Sequence, residues 1–379
     1  MRIGILTLPL HTNYGGILQA FALQTVLQKM GHEVRVINSR GKEKYKTDKT
    51  DWKMPLRYGW RFAKKTFIDH SVIIDREGKR RMDNIAIRQQ IQPFTDRYIH
   101  CRYIENPDEI RQTEFDAFVV GSDQIWRPIY IPNHWDNDKS SAFLSFTEGW
   151  QVGRYAYAAS FGVDKWEFPE ETTPKIAKYA KQFDAISVRE DSGVKLCNDY
   201  LGVKAVHLLD PTMLLSSEEY KNLFIETGTL EANGDMFCYI LDKNEKKKSL
   251  IEQISKDRNL NPYDISPISY KTGEFVENRK DSSVEAWLRS FYDAKLVVTD
   301  SFHGCVFSII FGKPFIAIGN IGRGLSRMQS LLKIFKLEDH LLLDTSSYDK
   351  SADYSQPESV KTILNNYKQQ SINFLRQIK

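Results

Sequence analysis

Short apolar runs that stop in polar or glycine-rich turns, alternating with helix-like segments, constrain this chain more than any other feature. The sequence "KLVVTDSFHGCVFSIIFGKPFIAI" (295–318) shows the pattern at its clearest. A strand-like run from Lys295 to Thr299 is followed by the polar cluster Asp300-Ser301-Phe302-His303-Gly304. A helix-length apolar run, Cys305 to Phe311, then ends at Gly312, and Pro314 to Ile318 is strand-like again. Fully buried strands of parallel sheets look like this, because both of their faces are covered. A chain that repeats the unit folds as α/β with crossover helices.

The repeats are visible from the first residues. Arg2 to Leu8 predicts a strand. Ile17, Leu18, Phe21, Leu23, Val26, Leu27 and Met30 predict a helix that Asn13 caps and Gly31 ends, and Glu33 to Ile37 returns as a strand. Further strands are expected at Phe115 to Val120, Arg154 to Ala159 and Asp184 to Val188. A second series begins with "AVHLLDPT" and "MFCYIL" (236–241), then helices at Lys246 to Lys256 and Ser282 to Tyr292, and a last helix at Ser359 to Phe374. At 379 residues two domains are expected. The reading is two Rossmann-like domains facing each other across a cleft, a GT-B-like arrangement. Residues 1–200 form the first domain, with a basic insertion at about 40–102. Residues 201–355 form the second, and 356–379 a terminal helix.

Composition narrows the classes. The content is 41% hydrophobic and 27% charged, as in ordinary globular proteins. Neither a signal-peptide pattern nor an apolar stretch of about 18 residues is visible, so a cytoplasmic protein is expected. The four cysteines lie far apart, which fits a reducing compartment and argues against a zinc cluster; no metal is expected. The net charge of +4 hides an asymmetry. Residues 40–102 hold 17 Lys/Arg against 8 Asp/Glu, leaving −5 for the remainder. Basic residues beside Trp52, Trp60 and Phe67 suit either a solvated helical insertion or an anionic membrane surface. Nothing resembles a nucleic-acid-binding module, and no nucleic-acid partner is expected.

In open parallel sheets ligands bind beyond the carboxyl ends of the strands, so chemistry is expected there. His303, at a strand end and a helix start, is suited to proton transfer; free helix-start amides and Gly304 would let an anion approach. Asp300 and Ser301 either orient the imidazole or cap the helix. Arg189, just after another strand, is expected to face the cleft, where its planar fork suits a carboxylate or phosphate. "GSDQIW" (121–126) offers Ser122 and Gln124 as hydrogen-bonding groups and Asp123 as a base. "HTNYGG" (11–16) offers Asn13, Tyr14 and Gly15, and "GNIGRGLSR" (319–327) offers Arg323 and Arg327 in a glycine-rich loop without the P-loop spacing.

Taken together, "TNYGGILQAFALQTVL", "VVGSDQIWRP", "ISVREDSG", "LLDPTMLL" and "VTDSFHGCVFSIIFGKPFIAI" resemble the polysaccharide pyruvyl transferase family, in order over about the first 320 residues. The resemblance implies a GT-B-like fold and transfer of the pyruvyl group of phosphoenolpyruvate onto a sugar, free or lipid-linked, usually as a cyclic ketal, with phosphate released. It implies a role toward phosphoenolpyruvate for Arg189 and His303, and no cofactor beyond that co-substrate. Many members carry arginine or leucine where this chain has Phe302, so Arg323 or Arg327 is expected to take over a phosphate contact. On this reading His303 is the general acid, Asp123 or Asp300 the base, Ser301 and Gly304 line the donor, and Asn13, Tyr14, Gly15, Ser122 and Gln124 face the acceptor. The 40–102 stretch would rest on the inner membrane face. The competing readings are a nucleotide-sugar glycosyltransferase of the same architecture and a non-catalytic glycan- or anion-binding protein.

Overall fold

A computed structural model describes residues 1–39, 64–65, 83–268 and 274–379. Most of the basic 40–102 stretch, including Trp52, Trp60 and Phe67, lies outside the described residues, and with it the expected membrane contact. No described helix is long and apolar enough to cross a membrane.

The first sheet is built from β1 (Arg2–Leu6), β2 (Glu33–Ser39), β3 (Cys101–Ile104), β4 (Ala117–Gly121), β5 (Gly153–Ala159), β6 (Ala185–Val188) and β7 (Val206–His207). All pairs are parallel, in the order β3-β2-β1-β4-β5-β6-β7. Helices α1 (Tyr14–Lys29), α2 (Gln92–Tyr98), α3 (Thr173–Ala180) and α4 (Asp191–Leu196) belong to its crossovers. The end of the expected basic insertion is therefore part of the domain, since Cys101–Ile104 is its edge strand. That strand has only Ile104 fully buried, so it lacks the apolar run that marks the others. The first sheet runs on to His207, seven residues past residue 200.

After a turn at Pro211–Leu214 come α5 (Ser217–Glu226), β8 (Met236–Tyr239), α6 (Glu245–Arg258), β9 (Pro262–Tyr263), α7 (Val284–Asp293), β10 (Leu296–Thr299), α8 (Phe302–Ile310), β11 (Phe315–Ile318), α9 (Leu325–Phe335), β12 (Leu341–Leu342) and α10 (Ser359–Leu375). The second sheet is also parallel, ordered β12-β11-β10-β8-β9. The alternating α/β pattern and the two parallel sheets expected from the sequence are both present.

Strand alternation explains how the sheets are joined. Ala117 and Val119 point into one apolar cluster and Phe118 and Val120 into another, on the opposite face of the first sheet. In the second sheet Phe237, Tyr239 and Val297 join the same cluster as Ala117, while Met236, Leu296 and Val298 face away. One apolar layer thus lies between the two sheets, filled by α1, α7, α8 and the Pro211–Leu214 turn. The C-terminal α10 returns to the first domain, where Phe374 meets Tyr157 at 6.1 Å between ring centroids.

Candidate active site

Each sheet has one place where strand order reverses. In the first it lies between β1 and β4, in the second between β8 and β10. Crevices open outside the carboxyl ends of strands at such points. The loops after these four strands converge on a single cavity of about 560 Å³, lined among others by Asn13, Asp123, Asp242 and His303. The site is therefore shared by both domains.

His303 is the second residue of α8, and Ser301 is its N-cap. Its imidazole lies against the first turn of α1, where a Cβ on Gly15 would fall 2.0 Å from Nδ1. Gly15 is thus the residue that admits the histidine between two helix N-termini. Nε2 stands 3.5 Å from Asp210 Oδ2 and makes no hydrogen bond among the described residues. Gly304 has a different task from the one expected. A Cβ there would meet Thr299 Oγ1 at 2.1 Å, so this glycine seats α8 on β10 and does not line the cavity. Its amide and that of Cys305 are taken by Ser301 Oγ and O. The first two helical residues, Phe302 and His303, have no i−4 partner for theirs.

Arg189 corrects a second expectation. It does not line the cavity: its side chain is 1% exposed and is held by Asp210 Oδ2 at 2.8 Å and Asp123 Oδ1 at 3.3 Å. The Phe302 ring covers its guanidinium, 4.5 Å from centroid to Cζ. Arg327 also approaches this ring, at 5.6 Å. Phe302 thus lies against two cations, a favourable use of its ring.

Arg327 is buried, yet among the described residues no carboxylate lies within 4 Å of it. It donates only to the Arg323 carbonyl, and its Nε has no partner. Burial first, then the charge of Arg189, pull its pKa down to about 10. A buried cation facing a polar cavity without a counter-ion could hold an anion. Arg323 is committed instead to a two-point pair with Asp242, both contacts 2.8 Å, and that pairing holds the Asp242 carboxyl at about 2.

Asp300 lines the cavity but is not placed as a base. Its Oδ1 accepts from the Leu241 amide, and its Oδ2 from the Asp242 amide, Lys247 Nζ at 2.6 Å and Asn320 Nδ2. Holding these four donors, it ties the β8 loop to β10. Asp123 lines the cavity in a left-handed backbone conformation, φ +52°, and accepts from Asn13 Nδ2 as well as Arg189. Asn13 is the N-cap residue of α1, but its side chain makes no cap and goes to Asp123 instead.

Among the expected acceptor residues, Gln124, Asn13 and Gly15 line the cavity. Tyr14 does too, but its hydroxyl donates to the Ser282 carbonyl at 2.8 Å and its ring stacks on Trp287, so it chiefly joins the domains. Ser122 is buried behind the cavity, its hydroxyl within hydrogen-bond distance of the Ala158 carbonyl (2.9 Å) and of Asp210 Oδ2 (3.2 Å).

Two residues escaped the sequence reading. Asp210 is 1% exposed and sits at the centre of the arrangement, between Arg189, His303 and Ser122, while its Oδ1 caps Thr212. Burial alone would raise its pKa; His303 and Arg189 outweigh that and hold it far below the usual carboxylate range. Its signal was present in "LLDPTMLL", where Asp-Pro reads as a turn. Asp281 also lines the cavity. No group of His, Cys, Asp and Glu suited to a metal is found among the described residues.

Two parallel α/β sheets, joined by an apolar layer and sharing one polar cavity at their switch points, make this a two-domain protein of the GT-B-like class. The chain belongs to the polysaccharide pyruvyl transferase family, whose profile matches residues 13–322. No curated protein matches the sequence. Solved structures similar in fold include MurG of Acinetobacter baumannii, at 9% identity and a TM-score of 0.44 over 99% of both chains. Another is UGT89C1 of Arabidopsis thaliana complexed with UDP-L-rhamnose, at 8% identity and 0.47 over 98% of this chain and 94% of that one. The spinosyn forosaminyltransferase SpnP gives 14% and 0.39 over 100% and 95%.

Proposed function

We propose that the protein transfers the pyruvyl group of phosphoenolpyruvate to a sugar hydroxyl pair, forming a cyclic ketal and releasing phosphate. The observation that carries this reading is Arg327, a buried cation without a carboxylate partner, in one cavity with His303 and the start of α8. The donor brings a phosphate and a carboxylate, the groups such a site holds. Arg327 and the first amides of α8 take the phosphate, and His303 hands it a proton as it departs. Asp210 orients the imidazole from 3.5 Å, and Arg189 fixes Asp210 and Asp123 from beneath Phe302. Arg189 is in this account a positioning residue. Asn13, Gln124 and Asp123 face the acceptor.

Phosphoenolpyruvate is a cytoplasmic metabolite, which places the reaction in the cytoplasm. A lipid-linked acceptor would bring the enzyme to the inner membrane face. The test is incubation with phosphoenolpyruvate and a panel of nucleotide- and lipid-linked sugars, following phosphate release and the mass of the sugar. His303→Ala and Arg327→Met are expected to lose at least ~100-fold in rate. Thermal stabilisation by UDP or GDP but not by phosphoenolpyruvate, with no transfer to any acceptor, would refute the proposal.

A further inference from the structure

Four aspartates line the cavity, and they are not alike. Asp123 accepts from Arg189 and Asn13, Asp242 from Arg323 and Asn320, and Asp300 from Lys247, Asn320 and two amides. Each of the three therefore has its hydrogen-bonding or charged partner. Asp281 is buried, at 5% exposure, and among the described residues it has neither a hydrogen bond nor an ion pair. The absence of a partner is not the slack of a loose loop. Ser282, the next residue, receives the Tyr14 hydroxyl on its carbonyl at 2.8 Å and donates its own hydroxyl to the Ile265 carbonyl at 2.8 Å. Two residues earlier Arg279 is paired with Asp83 at 2.9 Å. A carboxyl pinned in place, desolvated and without a cation holds its proton to higher pH. Burial accordingly pushes it up to about 7.

Ketal formation needs such a group. Two hydroxyl protons leave the acceptor; one must reach the methylene carbon of the donor, and the other ends on phosphate. We propose that Asp281 is a catalytic acid–base residue of this site, protonating the methylene carbon of phosphoenolpyruvate and recovering the proton from the ring-closing hydroxyl. The assignment rests on the pyruvyl-transfer reading above. In the first step the Asp281 proton and the electron pair of the C=C bond form the new methyl C–H bond. The first sugar hydroxyl adds to the central carbon and its proton passes to His303. In the second step the C–O bond to phosphate breaks and the leaving phosphate takes the proton from His303. The second hydroxyl closes the ring and returns its proton to the Asp281 carboxylate. Both residues end as they began.

The experiment uses the full-length enzyme with phosphoenolpyruvate and whichever sugar the panel identifies, in D2O, with the product methyl group read by mass spectrometry and NMR. The unaltered enzyme is expected to place one solvent deuterium in the methyl group. Asp281→Asn is expected to lose at least ~100-fold in ketal formation while phosphoenolpyruvate still stabilises it against heat to the same degree. Asp281→Glu is expected to restore part of the rate, and acetate to restore part of that of Asp281→Ala, which a merely structural role would not allow. Ketal formation by Asp281→Asn within about threefold of the unaltered rate overturns the assignment and leaves pyruvyl transfer standing. Absence of transfer by the unaltered enzyme overturns both.

Discussion

Substituting Gly15 by alanine moves the candidate catalytic histidine without touching it. An added Cβ would lie 2.0 Å from His303 Nδ1, 2.3 Å from Cγ and 2.4 Å from Cε1. Ordinary contact begins near 3.4 Å, so the ring must retreat by about 1.4 Å or α1 must shift. Backbone movement is resisted, because α1 lies in the apolar layer between the sheets and its Tyr14 is fastened to Ser282 and Trp287. The ring is the softer element. A misplacement of about 1 Å in a catalytic group can cost about 100-fold, and the overpacking itself about 1–3 kcal/mol. Gly15→Ala is therefore expected to stay folded, to bind phosphoenolpyruvate within a few-fold, and to lose about 100-fold in kcat. Gly16→Ala is the comparison, since its Cβ meets Asn13 Nδ2 at 3.1 Å and Asp123 Oδ2 at 3.4 Å and so disturbs the proposed acceptor side and not the histidine. Phosphate-release kinetics on the two variants decide the matter. Full turnover by Gly15→Ala would show that the seat of His303 against α1 is unimportant to the chemistry, and the role given to the histidine would fall with it.

Arg327→Met should abolish the heat stabilisation that phosphoenolpyruvate or inorganic phosphate gives, while Arg323→Met should weaken it less, since Asp242 already neutralises Arg323; equal effects would refute the distinction. Asp300→Asn breaks a buried pair with Lys247 and should cost about 3–5 kcal/mol by denaturant titration, with less than additive loss in the Asp300→Asn/Lys247→Met double variant. Asp281 has a folded pKa raised from 3.8 to about 7, so its contribution to stability is whole below about pH 4 and is lost as pH rises through 7. The unfolding temperature of Asp281→Asn should therefore gain on the unaltered protein between pH 4 and 8, by the equivalent of at most about 4 kcal/mol, and a pH-independent difference would contradict the burial argument. Phe374→Ala removes a ring from α10 that packs on Tyr157 and should cost about 3–5 kcal/mol in thermal or denaturant unfolding.

The parallel sheets and most crossover helices were legible because buried strands and amphipathic helices carry their periods in the residues themselves. β3 was not, since an edge strand with one buried residue has no period to read and lies in a basic stretch. For the site, sequence located the strand ends but not the partners across them. Asp300 and Gly304 stand where a ligand group would, and only the fold shows that one bonds Lys247 and the other seats α8 on Thr299. Arg189 follows a strand like any cleft residue, and only the position of Phe302 shows that it is covered. Asp281 lies in "NRKDSSV", a run of polar and charged residues before a helix; its burial in the cavity wall leaves no trace in those neighbours.

The same contrast orders the charges around the cavity. Arg189 and Arg323 each meet aspartates and Lys247 meets Asp300, so these cations hold the scaffold and contribute little net field. Arg327 and Asp281 are the two buried ionisable groups of the cavity wall left without a counter-charge among the described residues. Burying a charged or chargeable group unpaired costs stability. Such groups persist where a ligand or a reaction supplies the missing partner. The proposed donor would meet both deficits: its phosphate would complete Arg327, and its methylene carbon would accept a proton from Asp281. A glycan-binding protein without chemistry would need the first of these groups and have no use for the second.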